Sequence, residues 1–250
     1  MPSETKPSYE IQGRLVTFPV EVRDASGAIA GFLVSSRAAN KLVGDDFEIV
    51  DFLPGRTLFM LGCIDYKDND LGDYNEVAMN FFVRSKGAAK GFPYLGAWRA
   101  MAGGGMPTYS WRMPVNQSFT RDAGFLIWGF PKTVERIDFD YTRDGRFHGL
   151  LEMDGQKVFE IDMPRGGDSG KKAQPGTKGL AYSYIESVPH QTVFTQQASG
   201  LGVSRGGSVE LSLGSHPIAD DLRSLGLPKK PLMATWIGKM TMEFGAPVKL

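Results

Sequence analysis

Two Asp-Gly pairs within one short segment constrain the fold of this chain more than any other feature of its sequence. They lie at Asp144-Gly145 and Asp154-Gly155, inside ERIDFDYTRDGRFHGLLEMDGQKVFEIDMP, residues 135–164. Asp-Gly suits the left-handed backbone of a two-residue hairpin turn, and the residues on either side alternate between apolar and polar. The segment therefore predicts three strands joined by two tight hairpins.

Further β-like segments are spread along the chain between scattered glycines and prolines. They are RLVTFPVEVRD, AIAGFLVSS after a turn predicted at ASG (residues 25–27), YNEVAMNFFVRS, TYSWRMPVNQ and ATWIGKMTMEFGAPVKL. Helical patterns are few and short, in SSRAANKLVG, GFPYLGAWRAMAGG and HPIADDLRSLGLP. Many short strands at this spacing predict an antiparallel barrel or sandwich. A glycine-rich polar loop at residues 165–178 is the one candidate domain boundary.

Charge and cysteine content exclude several classes of function. Lys plus Arg and Asp plus Glu both total 28, so the basic stripe of a nucleic-acid-binding protein is not expected. Cys63 is the single cysteine, and His148, His190 and His216 are far apart, so we expect neither a disulfide nor a metal site. The N-terminus lacks the apolar core of a signal peptide, and the apolar runs are too short to span a membrane. These features predict a soluble, cytoplasmic protein that does not bind membranes.

The segment GFLIWGFPKTV places Lys132 directly after a strongly apolar and aromatic stretch. One interpretation is that a strand ends here and the lysine extends its ammonium group into water. The other is that the lysine is buried, which would lower its pKa from about 10.4 and supply the neutral amine that attacks a carbonyl. Local sequence leaves both interpretations open.

Three segments in the same order resemble the acetoacetate decarboxylase family. GFLIWGFPKTV looks like the family's Schiff-base lysine motif, and LGCIDYKDNDLGDYNEVAMNFFV resembles its strand and loop with Tyr-x-Glu. GGSVELSLGSHPIADDLRSLGLPKKPLMATWIGKMTMEFGAPV resembles its C-terminal region, so the likeness covers roughly residues 16–248. The resemblance implies one domain over residues 1–250, mainly β, as an antiparallel cone-like barrel with flanking strands and a few short helices. It also implies a homo-oligomer.

The resemblance assigns candidate roles to individual residues. It implies that Lys132 forms an imine with a β-keto acid, that Glu76 positions substrate or moves protons, and that no metal or organic cofactor is needed, because the imine is the electron sink. Trp128 and Phe130 are expected to line the substrate pocket, and Arg23 to hold a substrate carboxylate.

The sequence departs from the family pattern at three places. Thr133 stands where the decarboxylase has a second lysine, Phe125-Leu126 stands where an Arg-Glu pair is common, and LFMLGCI, residues 58–64, has no glutamate. The pocket is therefore expected to be more apolar than that of the decarboxylase.

Three hypotheses about function follow from the sequence. The chain is a lyase that decarboxylates a β-keto acid, a Schiff-base aldolase or dehydratase for a bulkier keto acid, or a non-catalytic barrel that binds a hydrophobic small molecule. Retention of Lys132 and Glu76 favours the first two, and the apolar substitutions favour the last two.

Overall fold

The computed structural model describes residues 7–88, 94–142, 144–166, 176–204 and 206–250. The strands are β1 (Ser8–Ile11), β2 (Arg14–Thr17), β3 (Val20–Ser35), β4 (Phe47–Ile49), β5 (Arg56–Asn69), β6 (Tyr74–Ser85), β7 (Pro107–Arg112), β8 (Arg136–Asp140), β9 (Arg146–Met153), β10 (Gln156–Pro164), β11 (Thr177–Ile185), β12 (Val188–Ser204), β13 (Glu210–Leu213), β14 (Met233–Phe244) and β15 (Val248–Lys249). The helices are α1 (Ser36–Ala39), α2 (Leu95–Ala102), α3 (Ser118–Trp128) and α4 (Pro217–Ser224), with a 3-10 turn at Gly206–Ser208. Most of the glycine-rich loop predicted at residues 165–178 lies outside the described residues.

Seven strands form a closed barrel. They follow one another in the order β11, β7, β6, β5, β3, β14 and β12, and β12 pairs with β11 to complete the circle. Every pairing in the barrel is antiparallel except the short one between β7 and β11. The predicted fold class, a mainly β barrel with additional strands and short helices, is confirmed.

A second sheet is built from the hairpins that the Asp-Gly pairs predict. Strands β13, β10, β9 and β8 pair in this order, and all three pairings are antiparallel. Asp144-Gly145 and Asp154-Gly155 have positive φ at both residues, which is the backbone conformation of the expected turns. The three predicted strands and both turns are confirmed.

The turn expected at residues 25–27 is wrong. Strand β3 continues through this point for 16 residues and pairs with β5 and β14 along its length. Register shifts on either side of Asp24 bend the strand instead of ending it. Bulges of this kind produce the strong curvature that a small closed barrel requires, and small residues such as Ala25 and Gly27 permit it.

The helices predicted near residues 36, 95 and 217 are present as α1, α2 and α4. The side chain of Ser35 caps α1, and His216 caps α4 by accepting a hydrogen bond from the backbone N–H of Ile218. None of the helices in the described ranges is long and apolar enough to cross a membrane.

Candidate active site

The barrel encloses a cavity of about 270 Å³. Its wall is formed by inward-facing residues of the seven barrel strands and by the chain that follows α3, and most of these residues are apolar or aromatic. Of the described residues that line it, only Lys132 and Glu76 carry a charge. A largely apolar cavity with a few convergent polar groups is the usual form of a small-molecule site.

Lys132 and Glu76 form a buried ion pair in this cavity. The Lys132 Nζ lies 2.7 Å from the Glu76 Oε2, and each side chain is 5% exposed. Glu76 projects inward near the start of β6, whereas Lys132 enters from the chain that follows α3. The structure therefore brings together the two residues for which the family resemblance implies catalytic roles, although 56 positions separate them in the sequence.

Two tyrosines and a threonine surround this ion pair. The Tyr66 hydroxyl lies 3.4 Å from the Glu76 Oε1, and the Tyr74 hydroxyl hydrogen-bonds with Lys132 and Thr120. The Thr120 Oγ1 is 3.5 Å from the Lys132 Nζ. The two tyrosine rings stack with centroids 4.4 Å apart. Burial raises the pKa of both tyrosines, so both phenols are protonated at neutral pH. The Tyr66 hydroxyl donates to Glu76, whereas the Tyr74 oxygen accepts from the Lys132 ammonium group.

The pKa of Lys132 results from two opposing effects. Burial disfavours the ammonium form, but the attraction of Glu76 and the contact with Tyr74 outweigh burial and raise the pKa above its ordinary value. Burial acts in the expected direction, but the expected net decrease in the pKa of Lys132 is wrong, because Glu76 and Tyr74 outweigh burial. The resting lysine is protonated, and a proton acceptor must free its amine before it can attack a carbonyl.

Helix α3 positions the lysine, and the apolar stretch before Lys132 is not the strand end considered above. The residues that α3 buries are Phe119, Thr120, Ala123, Gly124, Ile127 and Trp128. Their spacing of three and four residues is that of one helix face, which explains why five consecutive residues at 124–128 can be largely apolar without forming a strand. The helix ends at Gly129, whose φ of 67° is the left-handed conformation typical of a helix C-terminus.

The chain after Gly129 is held in place by backbone hydrogen bonds to the segment that precedes α3. The N–H of Met113 donates to the carbonyl of Pro131, and the N–H of Val115 donates to the carbonyl of Thr133. Lys132 lies between these two carbonyls, so its backbone is fixed from both sides. A rigid backbone of this kind keeps a catalytic side chain in one position.

Gly124 provides the space that the lysine side chain occupies. A Cβ atom at this position would lie 2.6 Å from the Lys132 Cε and 3.2 Å from its Cγ, which is closer than atoms in van der Waals contact. The aliphatic part of Lys132 thus packs directly on the backbone of α3. An alanine at position 124 would push the lysine away from its present position.

Trp128 and Phe130 line the same cavity, as expected from the sequence. They are 2% and 5% exposed, and their rings stack with centroids 6.1 Å apart. The Trp128 indole donates a hydrogen bond to the carbonyl of Gly245, and the Ser183 hydroxyl donates to the carbonyl of Trp128. These bonds fix the aromatic wall beside Lys132.

Arg23 is not brought to the cavity. Its side chain is 44% exposed, and its guanidinium binds Asp68 and Asp70 at 2.8 and 2.6 Å. It lines a second depression, which shares Val22, Gln196 and Met242 with the wall of the cavity. Because two carboxylates already neutralise this arginine, the geometry does not support the expected role in binding a substrate carboxylate.

The departures from the family pattern have different structural consequences. Thr133, Phe125 and Leu126 are exposed and do not line the cavity, so they do not make it more apolar. Within LFMLGCI, the inward positions are Met60, Gly62 and Ile64, and none of them can supply a carboxylate. The apolar character of the cavity near β5 comes from these three residues.

Sequence reasoning did not single out Tyr66, Thr120 and Gly124, and it included Tyr74 in the Tyr-x-Glu motif without assigning it a role. Tyr74 precedes Glu76 by two residues, so the period of a strand places both side chains on one face and could have identified it. Thr120 and Gly124 lie 12 and 8 positions before Lys132 and show no comparable pattern. In the part of the chain that the structure describes, no group of three or more His, Cys, Asp or Glu side chains could hold a metal ion.

Comparison with known proteins identifies the family of this chain. The family model described as acetoacetate decarboxylase matches residues 1–249. The chain belongs to the acetoacetate decarboxylase family. A search of curated proteins gave no significant match.

Solved structures with this fold share little sequence with the chain. An acetoacetate decarboxylase from Legionella pneumophila aligns with a TM-score of 0.64 at 16% identity, covering 100% of this chain and 92% of the other. The enduracididine biosynthesis enzyme MppR in complex with pyruvate aligns with a TM-score of 0.61 at 13% identity, covering 98% of both chains. An acetoacetate decarboxylase-like enzyme from Sphingomonas wittichii aligns with a TM-score of 0.57 at 16% identity, covering 94% of both. These likenesses establish the fold.

Proposed function

We propose that the protein is a lyase in which Lys132 forms an imine with a carbonyl substrate, and that the preferred reaction is decarboxylation of a β-keto acid. The observation that carries this proposal is the position of the Lys132 amine, which is buried in an apolar cavity 2.7 Å from the Glu76 carboxylate. Membership of the acetoacetate decarboxylase family supports an enzymatic function.

Glu76 is the group that frees the amine. Because Glu76 raises the pKa of Lys132, the ammonium form is the resting state, and Glu76 is also the nearest carboxylate that can accept its proton. Transfer of this proton leaves the pair uncharged, so the low-dielectric cavity does not oppose it. The neutral amine then attacks the substrate carbonyl, and the carbonyl oxygen leaves as water after it takes one proton from Glu76 and a second from the attacking nitrogen, which leaves a protonated imine.

The protonated imine accepts the electrons of the bond that breaks. Cleavage of the bond to the substrate carboxylate releases carbon dioxide, and its electron pair moves into the imine to form a neutral enamine. A proton then adds to the enamine carbon, and water hydrolyses the new imine to release the ketone and restore the lysine ammonium. The net reaction consumes one proton from solvent for each carbon dioxide released.

The apolar cavity wall favours decarboxylation. A carboxylate beside Trp128, Phe130 and Met113 is poorly solvated, whereas carbon dioxide has no charge to solvate. The protonated imine is the only cation that the described cavity wall would provide to the carboxylate before the bond breaks. Poor solvation of the substrate carboxylate therefore favours cleavage of the bond that joins it to the rest of the substrate.

Aldol chemistry is the second candidate reaction. None of the described residues that line the cavity is an arginine that could bind a substrate carboxylate. An enamine formed on Lys132 could add to an aldehyde instead of taking up a proton. MppR, which shares the fold, was solved with the condensation product of pyruvate and imidazole 4-carboxaldehyde. A carbonyl acceptor of that general type would be required here.

Trapping of the imine tests the proposal. We expect incubation with acetoacetate or pyruvate followed by borohydride to increase the intact mass by the reduced adduct, and we expect Lys132→Ala to show no increase. Carbon dioxide release from acetoacetate and longer β-keto acids separates decarboxylation from aldol chemistry. Absence of an adduct with a panel of keto acids would overturn both reactions and leave a non-catalytic binding barrel.

A further inference from the structure

The cavity extends well beyond the ion pair towards a second group of polar residues. Asn80 faces the cavity from β6, four residues after Glu76, so the two Cα atoms lie roughly 13 Å apart at the ~3.3 Å rise of a strand. Ser110 lies opposite Asn80 on β7 and also lines the cavity. The cavity therefore has a charged region at one position along β6 and an uncharged polar region at another.

The wall between these two regions is lined by small residues. Gly62 on β5 lies opposite Ala78 on β6, midway between the Glu76 and Asn80 positions. Both residues face the cavity, so they leave space along the line that joins the ion pair to Asn80. A four-carbon keto acid, whose few bonds each advance on the order of 1.2 Å, would not reach from Lys132 to Asn80.

Asn80 has an unused hydrogen-bond acceptor. Its Oδ1 is shielded from solvent and has no hydrogen-bond partner within the described residues. A buried acceptor left without a partner costs about 1–3 kcal/mol, and in the present orientation of the amide this oxygen has almost no surface open to the cavity. A half-turn of the amide exchanges its oxygen and nitrogen, which brings the unpartnered oxygen to the side that lines the cavity and makes it a candidate ligand contact.

We infer that Asn80 is a specificity-determining residue, and that the natural substrate is a carbonyl compound with an apolar, ring-sized body and a hydroxyl donor at its far end. The inference rests on the proposed imine at Lys132, which places the carbonyl at the ion pair. The apolar body lies beside Gly62 and Ala78, and the hydroxyl donates to the Asn80 Oδ1 once the amide has turned this oxygen towards the cavity. Ser110 lies beside this contact in the strand register.

Two matched ketones test the inference. Both para-hydroxybenzylacetone and benzylacetone carry a methyl ketone and an aryl body, and only the first has a terminal donor. We expect calorimetry to show about tenfold tighter binding of the hydroxylated ketone to the unmodified protein, in line with one buried hydrogen bond. We expect para-methoxybenzylacetone, which cannot donate, to bind no more tightly than benzylacetone.

Substitution of Asn80 tests whether the preference for the hydroxylated ketone depends on the Asn80 amide. We expect Asn80→Leu, which keeps the size of the side chain, to bind the two ketones equally. Asn75→Leu is the matched control, because Asn75 lies on the same strand but faces outward, and we expect it to retain the preference. Equal binding by the unmodified protein, or a preference that survives in Asn80→Leu, would overturn the inference.

Borohydride trapping of the same ketones separates this inference from the proposed function. An adduct with both ketones, but no binding preference for the hydroxylated one, would support imine formation and contradict the Asn80 contact. A binding preference for the hydroxylated ketone that depends on Asn80, without an adduct on Lys132, would support the Asn80 contact and contradict imine formation. The three-ketone comparison on the unmodified protein gives a result even if Asn80→Leu does not fold.

Discussion

The two faces of β6 perform different tasks in the same twelve residues. Its outward side chains, such as Val77, Met79 and Phe81, are fully buried in a core that includes residues of the β8–β9–β10 sheet. Its inward side chains include Glu76 and Asn80 and face a cavity that is not filled by protein. One face is close-packed and apolar, and the other keeps space and polar groups.

This difference shows how the fold separates stability from chemistry. Because successive residues of a strand point to opposite sides, the outer sheet can stabilise β5 and β6 without occupying the cavity. The inner face can then hold a buried ion pair, which on average contributes little to stability because of its desolvation cost. Substitutions on the two faces should therefore affect different measurements.

The largest expected effect comes from removing one partner of the ion pair. Lys132→Met should abolish imine formation and lower the free energy of unfolding by about 3–5 kcal/mol at neutral pH, because Glu76 is left buried without a counter-charge. Lys132→Met combined with Glu76→Gln should recover most of that loss while remaining unable to form the imine. Urea denaturation checks both variants, and a double variant no more stable than the single one would contradict this account of the inner face.

A substitution on the outward face of β6 should lower stability but leave imine formation unchanged. Phe81→Ala removes a side chain that is 0% exposed and packs against Phe59, so the free energy of unfolding should fall by about 3–5 kcal/mol. Imine formation per folded molecule should be unchanged, as measured by borohydride trapping at a temperature well below the unfolding transition. A large loss of trapping in folded Phe81→Ala would show that the two faces are not independent.

Glu76→Gln should weaken the chemistry while retaining the lysine. We expect imine formation at pH 7 to slow about 10²-fold, since the group that returns a proton to the departing oxygen is lost. Without Glu76, burial of Lys132 is no longer outweighed, so the pKa of the lysine should fall and the midpoint of the pH–rate profile should move to lower pH.

The control for Glu76→Gln is Glu152→Gln, which removes a carboxylate that pairs with Arg136 on the outer sheet. This pair is largely exposed on the arginine side, so its loss should change stability by less than about 1 kcal/mol and leave the pH profile unaltered. A profile midpoint that rises in Glu76→Gln would contradict the assigned role of Glu76.

The smallest expected effect is that of Gly124→Ala. The added methyl group would meet the lysine side chain, and such overpacking costs about 1–3 kcal/mol, offset in part by the ~1 kcal/mol better helix propensity of alanine. We expect stability to change little and the rate of imine formation to fall about tenfold, because the amine is displaced. Gly105→Ala is the control, since a Cβ there meets nothing within 4 Å, and it should leave the rate unchanged.

The hairpins show how far the fold could be predicted from the sequence. The Asp-Gly pairs mark the turns of the outer sheet directly, whereas the hairpin between β11 and β12, which closes the barrel, turns at Glu186 and Ser187. Both residues have positive φ although neither is glycine or asparagine, so no turn signal marks them. Tertiary pairing of two long strands determines this turn.

The site was predictable in its chemistry and less so in its geometry. The family resemblance led to Lys132, Glu76, Trp128 and Phe130, which the structure places around one cavity, but also to Arg23, which lies outside it. A single sequence does not show which face of a curved strand meets the barrel interior when bulges change the register, as they do around Arg23. A cytoplasmic location and a homo-oligomeric state stay predictions.

Peptide mapping of the trapped adduct is the most direct test that Lys132 is the imine-forming residue. The protein is incubated with a β-keto acid and borohydride, digested, and analysed by tandem mass spectrometry. We expect the reduced adduct on the peptide that contains Lys132. When a non-reactive carboxylic acid analogue competes for the cavity, the adduct should not appear on other lysines instead. An adduct spread over exposed lysines such as Lys249, with none on Lys132, would contradict the account.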